Sequence, residues 1–158
     1  MAKPGQEAGS TRPIAANRRA RFEFHVLEEL ECGLALKGTE VKSLRQGQCS
    51  IAEAWGQVRR GELFLVGAHI PVYAQGNVHN HEPARDRKLL AHRREIARWH
   101  GRVREQGVTI VPLEIYFKGA RVKVRMALVK GKKLHDKRAA TREREDRRDM
   151  DRAMSRRR

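Results

Sequence analysis

Residues 108–131 read VTIVPLEIYFKGARVKVRMALVKG, and this stretch decides the fold class. Two strand-like runs flank Lys118-Gly119, which predicts a β-hairpin turning there. In the second run Val122, Val124, Met126 and Leu128 alternate with Arg121, Lys123 and Arg125. That is the period-two pattern of a strand with one apolar and one solvated face. The three cations then stand about 6.5–7 Å apart, comparable to the phosphate spacing along one strand of a nucleic acid. A single such cation reads as ordinary solvated surface. Three in a row, with Lys118 at the turn, read as contacts to an RNA backbone.

Outward from this hairpin, residues 54–70 (AWGQVRRGELFLVGAHI) predict a second one, turning near Arg60-Gly61. In residues 21–38 Phe22, Phe24 and Val26 alternate with Glu23 and His25, a half-buried strand whose later part is open between strand and helix. Residues 39–47 predict a short helix capped by Thr39, with Val41 and Leu44 on one face and Gly47 as its stop. Gly, Asn and Pro in residues 74–86 mark a long loop. Residues 86–107 predict a basic helix with Asp86 as N-cap and Gly107 as stop. Leu89, Ile96 and Val103 share one of its faces, and Arg93, Arg94, Arg98, Arg102 and Arg104 occupy much of the rest. At least five strands with one or two helices predict a mainly β domain, a small closed barrel with helices plugging its ends.

The 158 residues suit one domain with extensions: a flexible N-terminal arm at 1–13, a barrel at 14–130 and a basic tail at 131–158. The formal net charge is +16. The last 29 residues carry thirteen Lys/Arg against six Asp/Glu, so the preceding 129 are still at +9. Such a balance points to a polyanion, and RNA is favoured over a membrane surface. No apolar run approaches the roughly 18–20 residues of a spanning helix, and the tail lacks the aromatic face of an interfacial one. The N-terminus has no apolar core of a secretory signal, so a cytoplasmic protein is expected. The eight aromatic residues are needed for the core, which leaves few rings to stack on bases and favours reading a folded RNA by shape and backbone.

His79 and His81, with Glu82 adjacent and His92 downstream, raise a metal site, but no cysteine supports them and the segment reads as a surface loop. Cys32 and Cys49 read as small buried hydrophobes, with no base assignable to either. No catalytic residue, metal or cofactor is expected, and the chain does not read as an enzyme.

Residues 17–55 (NRRARFEFHVLEELECGLALKGTEVKSLRQGQCSIAEAW), 83–96 (PARDRKLLAHRREI) and 101–138 (GRVREQGVTIVPLEIYFKGARVKVRMALVKGKKLHDKR) together resemble small protein B (SmpB), the bacterial SsrA-binding protein family. The resemblance runs from about Ile14 to about Arg142. It implies an oligonucleotide-binding-type antiparallel barrel flanked by helices. It also implies a partner of transfer-messenger RNA in trans-translation, the rescue of ribosomes stalled without a stop codon. The barrel would grip the tRNA-like domain and stand where the anticodon stem is missing. Carried over by position, Glu31, Leu90 and Lys123 match residues associated with RNA binding, to which the exposed row adds Lys118, Arg121 and Arg125. Glu31 is an unusual anion for such a surface: it would accept hydrogen bonds from base edges or brace a neighbouring arginine. For Leu90, core packing is the simpler reading, and contact with an unstacked base the alternative.

Gly131, Lys132, Lys133, His135, Asp136, Lys137 and Arg138 match the family's hinge and tail motif. The resemblance implies that this tail probes the small-subunit decoding centre and the empty mRNA channel, with the elongation factor Tu complex as a further candidate partner. Pairs such as Glu143–Arg147 favour a helix from about Ala139 onward, but contribute only about 0.2–0.5 kcal/mol each, so the tail is expected to be disordered when free and helical on the ribosome. Two other readings fit the composition: a ribosomal or ribosome-assembly protein, separable by preference for ribosomal RNA, and a metal-dependent ribonuclease using His79 and His81, separable by RNA cleavage.

Overall fold

The computed structural model describes residues 10–105 and 107–156. In chain order the elements are β1 (Thr11–Ala16), α1 (Arg18–Glu23), β2 (Phe24–Leu34), α2 (Gly38–Arg45), β3 (Trp55–Arg59), β4 (Glu62–Val66), β5 (Arg87–Leu90), α3 (Arg93–Val103), β6 (Val108–Lys118), β7 (Arg121–Gly131) and α4 (Leu134–Arg156). All strand pairs are antiparallel, and β6-β3-β4-β5-β2-β7 form a ring that closes where β7 returns to β6. β1 adds to the outer edge of β6. The expected barrel is present.

Its inside is lined as the alternation demands. Val122, Val124, Met126 and Leu128 of β7 meet Ile110, Ile115 and Phe117 of β6, Leu63 and Leu65 of β4, and Leu89 of β5. Between β3 and β6 the ring is held by the single pair Gly56–Ile110. A Cβ on Gly56 would lie 2.5 Å from Ile110 Cγ2, so only glycine admits that approach. The β3–β4 turn has positive φ at both Arg60 and Gly61, the type I′ geometry whose twist matches the flanking strands. Val111 alternates outward beside Ile110, and a bulge between Pro112 and Glu114 then switches the faces of β6; Val111 and Leu113 join a second cluster with Ala20, Ala127 and Val129. Helix α1 covers that cluster. Asn17 caps it, accepting from Ala20 N–H while its Nδ2 donates to the Pro112 carbonyl at 3.2 Å.

Several local readings change. Residues 18–23 are helix rather than strand, so Phe22 lies on α1 and the alternation begins at Phe24. The ambiguous stretch after Val26 resolves as the rest of β2. The β6–β7 turn is the two-residue loop Gly119-Ala120, one position beyond the expected one, with φ +61 at Gly119. Thr11–Pro13, assigned from sequence to the N-terminal arm, pair with β6; residues 1–9 of that arm lie outside the described residues. Thr39 does not cap α2. The chain enters that helix through Lys37 N–H, which donates to Glu40 Oε1 at 2.8 Å, and Thr39 Oγ1 instead meets His81 Nδ1 at 2.9 Å.

The largest change is at residues 86–92. The expected first turn of the basic helix is strand β5, and α3 begins only at Arg93, after His92. Asp86 pairs with Arg59 at 2.7 Å rather than capping a helix. The cause is Arg87. Its guanidinium is fully buried and donates to Glu40, also fully buried, and to the carbonyls of Ala68 (2.9 Å), Pro83 (2.9 Å) and Arg85 (3.1 Å). Arg85 donates to the same carboxylate from the partly exposed side. His81 is 4% exposed and also meets the Ile70 carbonyl through Nε2 at 2.8 Å, so the loop expected at the surface is folded around a buried polar knot. Both imidazole nitrogens of His81 are thereby engaged. Among the described residues no group of three or more His, Cys, Asp or Glu side chains could hold a metal ion.

Cys32 and Cys49 are free thiols, pushed up by burial to about 12 and about 11 respectively, which keeps both protonated near neutral pH.

Burial pushes the Glu40 carboxyl up, but the hydrogen bonds from Arg85, the Lys37 N–H and Arg87 outweigh it and hold the group below its ordinary 4.5. A depressed carboxylate pKa stabilises the fold above pH 4.5, and that contribution is lost as pH falls below it. Glu40→Gln leaves the buried guanidinium unpaired and should cost about 3–5 kcal/mol in urea unfolding at pH 7. It should also flatten the acid limb of the stability–pH curve. A loss comparable to that of a surface substitution would show that the pair is not the anchor of this region.

Candidate nucleic-acid interface

Directly opposed residues of an antiparallel sheet carry their side chains on the same face. Across the outside of the barrel one such row runs Leu90–Gly33–Lys123–Tyr116 through β5, β2, β7 and β6. The adjacent row is Glu31–Arg125–Glu114, and Lys118 and Arg121 face each other at the tip of the hairpin. The structure therefore brings Glu31, Leu90, Lys118, Arg121, Lys123 and Arg125 onto one outer face, although they come from four strands.

Leu90 is where the simpler sequence reading fails. Leu89 is 1% exposed and fills the barrel, whereas Leu90 is 52% exposed. A strand sends consecutive side chains to opposite faces, so moving these residues from helix to β5 turns Leu90 outward. Gly33 makes room for it: a Cβ there would stand 3.2 Å from Leu90 Cβ. Leu90 thus lies across β2 beside Lys123, an apolar contact on a basic face.

The charges of this face are more ordered than the β7 sequence suggests. No acid interrupts Arg121, Lys123 and Arg125 along their strand, but the neighbouring strands supply two. Glu31 accepts from Tyr116 Oη and from Lys118 Nζ at 3.1 Å, bracing a lysine and a tyrosine rather than an arginine. Arg125 pairs with Glu114 at 2.8 Å, its guanidinium 5.8 Å from the centre of the Tyr116 ring. Among the described residues, Arg121 and Lys123 form no ion pair, and they are the cations of the row most available to an external anion. Gly33, Glu114 and Tyr116 belong to this site and were not singled out from sequence; strand register alone could have found them.

The Tyr116 hydrogen bond does most to hold Glu31 below the usual carboxylate range; burial opposes it, and Lys118 and Lys123 assist. Burial, together with the Glu31 carboxylate, pushes the Tyr116 hydroxyl up to about 12. Glu31 is thus a fixed anion that positions Tyr116 and Lys118.

The tail leaves from the other end of β7. Gly131 is the last residue of that strand, opposite Phe24, rather than a free hinge. Eight residues separate it from Lys123, about 25 Å along the strand. Lys132 N–H donates to the Glu23 carbonyl at 3.0 Å, and its Nζ to the Arg21 carbonyl at 3.1 Å, so this lysine is held against α1. Helix α4 starts at Leu134, earlier than expected, with Lys137 N–H donating to the Lys133 carbonyl at 3.2 Å. Lys137 and Arg138 line a shallow groove with Phe22, and the Arg144 guanidinium lies 5.3 Å from the Phe22 ring centre. These contacts give the helix a partner on α1. His135 and Asp136 fall in the first turn of α4, and their side chains lie outside the described part of the structure.

Tyr116→Phe should raise the Glu31 pKa toward 4.5, measured by NMR titration of its carboxyl carbon. An unchanged value would show that Lys118 and Lys123 alone hold the carboxylate ionised.

The family model described as SmpB protein matches residues 14–156. An SsrA-binding protein of Kineococcus radiotolerans is 55% identical over 91% of this chain and 92% of its own length. That of Pelotomaculum thermopropionicum is 50% identical over 91% and 94% respectively, and that of Thermobifida fusca 48% identical over 99% and 98%. A solved chain described as "tmRNA-SmpB: a journey to the center of the bacterial ribosome" superposes with a TM-score of 0.67 at 43% identity, covering 83% of this chain and 96% of the other. Identity on this scale extends through both the barrel and most of the tail, and the chain belongs to the SmpB family.

Proposed function

We propose that this protein binds transfer-messenger RNA and delivers it to stalled ribosomes for trans-translation. The observation that carries the reading is the outer face that gathers Glu31, Leu90, Lys118, Arg121, Lys123 and Arg125, in a chain whose relatives are SsrA-binding proteins. The barrel takes the tRNA-like domain on this face and stands in for the missing anticodon stem. Arg121 and Lys123 meet phosphates, Leu90 packs on an unstacked base or sugar, and Glu31 keeps its neighbours oriented. With few free rings, affinity comes mainly from the backbone.

The tail is the second contact. Helix α4 has 23 residues and is about 34 Å long at 1.5 Å per residue, sufficient to occupy a vacant stretch of mRNA path. Gly131, Lys132, Lys133, His135, Asp136, Lys137 and Arg138 form its anchor at the decoding centre, and its net positive charge suits a channel walled by phosphates. Lys132 and the Phe22 contact must release from α1 if the tail is to change direction there. The protein works by binding rather than catalysis, in the cytoplasm, alongside the elongation factor Tu complex. No described helix is long and apolar enough to cross a membrane.

Log affinity for the isolated tRNA-like domain should fall linearly with log salt, by about 0.7–0.9 per phosphate neutralised. Lys123→Glu should weaken binding strongly and flatten that slope. Wild-type affinity and slope in this variant would remove the face from the interface.

Truncation after Lys130 should leave binding to the isolated RNA near normal and abolish tagging of peptides on stalled ribosomes. Continued tagging by the truncated chain would rule out a channel-probing tail.

A further inference from the structure

The outer face does not end at Leu90. Beside it a cleft lined by Leu90, Ala91, Arg93 and Ile96 runs between β5 and the β3–β4 turn. Through Gly61, Arg93 and Ile96 it continues into a groove of about 310 Å³ between that turn and α3. This size is at the lower end of the roughly 300–1,000 Å³ typical of small-ligand sites. The floor is apolar (Val58, Ile96, Ala97) and the rim carries Arg93, His100 and Arg104. Among the described residues no carboxylate lines this groove. Two other α3 arginines are already engaged, Arg98 with Glu28 and Arg102 with Glu105, whereas Arg93 and Arg104 form no ion pair among the described residues. Glu62, on the approach from Leu90, is taken up by Lys88 at 3.1 Å.

We infer that this groove takes one unstacked nucleotide of the RNA bound on the outer face. Its phosphates meet Arg93 and Arg104, and its base or ribose lies on the Val58–Ile96–Ala97 floor. Three features select this occupant. The path is continuous with the exposed Leu90, so a strand held at Lys123 can continue into it. The rim has two available guanidiniums, which bind phosphate oxygens bidentately. The floor of Val58, Ile96 and Ala97 is apolar and offers no hydrogen-bonding side chain, so it accepts the face of a base without selecting which base. Arg93 at the start of α3 and Arg104 just past its end, which the β-face interface leaves unused, thereby gain a ligand. The inference rests on the RNA-binding reading above.

The test is binding of the isolated tRNA-like-domain RNA across a salt series, with folding checked by urea unfolding. Arg93→Ala/Arg104→Ala should weaken binding and lower the salt slope by roughly 1.5, the value for two lost phosphate contacts. Gly101→Trp probes the groove itself without removing a charge. Gly101 lines the groove, and a Cβ there meets nothing within 4 Å, so the helix accepts the side chain. It should weaken binding about tenfold, the equivalent of losing roughly 55 Å² of apolar contact, with the salt slope unchanged. Gly101→Leu, a smaller plug, should weaken it less, and serves in place of the tryptophan variant should that one fail to fold. Wild-type affinity in the plugged variants would overturn the inference even if the double alanine variant binds weakly, because the arginines would then act only as a diffuse field. If the wild-type chain binds and Lys123→Glu weakens it while the groove variants do not, the groove alone is refuted. If the wild-type chain fails to bind, the parent reading falls and this one with it.

Discussion

Glu40, a carboxylate out of contact with water, is held by Arg87 and Arg85, and the β4–β5 connection and strand β5 are arranged around that ion pair. Taking both charges out of water costs several kcal/mol each, so the arrangement persists only because the remaining donors are also satisfied. Arg87 meets this condition by donating to three carbonyls of the loop that connects β4 to β5, and His81 ties the same loop to α2 through Thr39. A long connection with little regular structure is thus given a fixed path. Strand β5 has only four residues, and the arginine that begins it is the one locked in place. Its alternation then dictates that Leu89 enters the barrel and Leu90 faces outward. An exposed leucine on the outer face of the barrel is the far end of a chain of constraints that begins at a buried glutamate.

The same economy of position shapes the charges. A basic domain attracts any polyanion, and long-range attraction by itself carries little selectivity. Here Glu31 and Glu114 neutralise Lys118 and Arg125 and leave Arg121 and Lys123 for an outside partner. The acids reduce the total positive charge of the face but fix where it is concentrated, and complementarity of this kind sets register more than affinity. Tyr116 serves both ends of the arrangement, donating to Glu31 and presenting its ring to Arg125.

What could be read from sequence follows the range of the interactions responsible. The β6–β7 hairpin was legible because β7 alternates strictly from Arg121 to Met126, and the β3–β4 turn because Arg60-Gly61 sits between two apolar runs. Phe22 was assigned to a strand because Phe22, Phe24 and Val26 keep period two by accident. What makes residues 18–23 helical is Asn17, which caps the turn while binding a carbonyl 95 residues away. Leu89, Ile96 and Val103 likewise fall at helical spacing although Leu89 is in a strand, because the deciding partner of Arg87 lies 47 residues away. Of the candidate site, the cation row was readable from local pattern. Glu31, Leu90 and Lys123 entered as a set only through family resemblance, and the acids that pair with the row are visible only in strand register.

The attachment of the tail has a mechanical meaning. Between Gly131 and Leu134 only Lys132 and Lys133 connect the end of β7 to α4, and Lys132 is tied to two carbonyls of α1. A pull along α4 is therefore shared between two routes. One runs lengthwise down β7, loading its hydrogen-bond ladder with β2 and β6 in shear. The other passes through α1 to Asn17 and from there to the bulge at Pro112. Both routes converge on the hairpin whose tip carries Lys118 and Arg121. In this arrangement, strain applied to the tail would reach the opposite end of the barrel through β7 and β6.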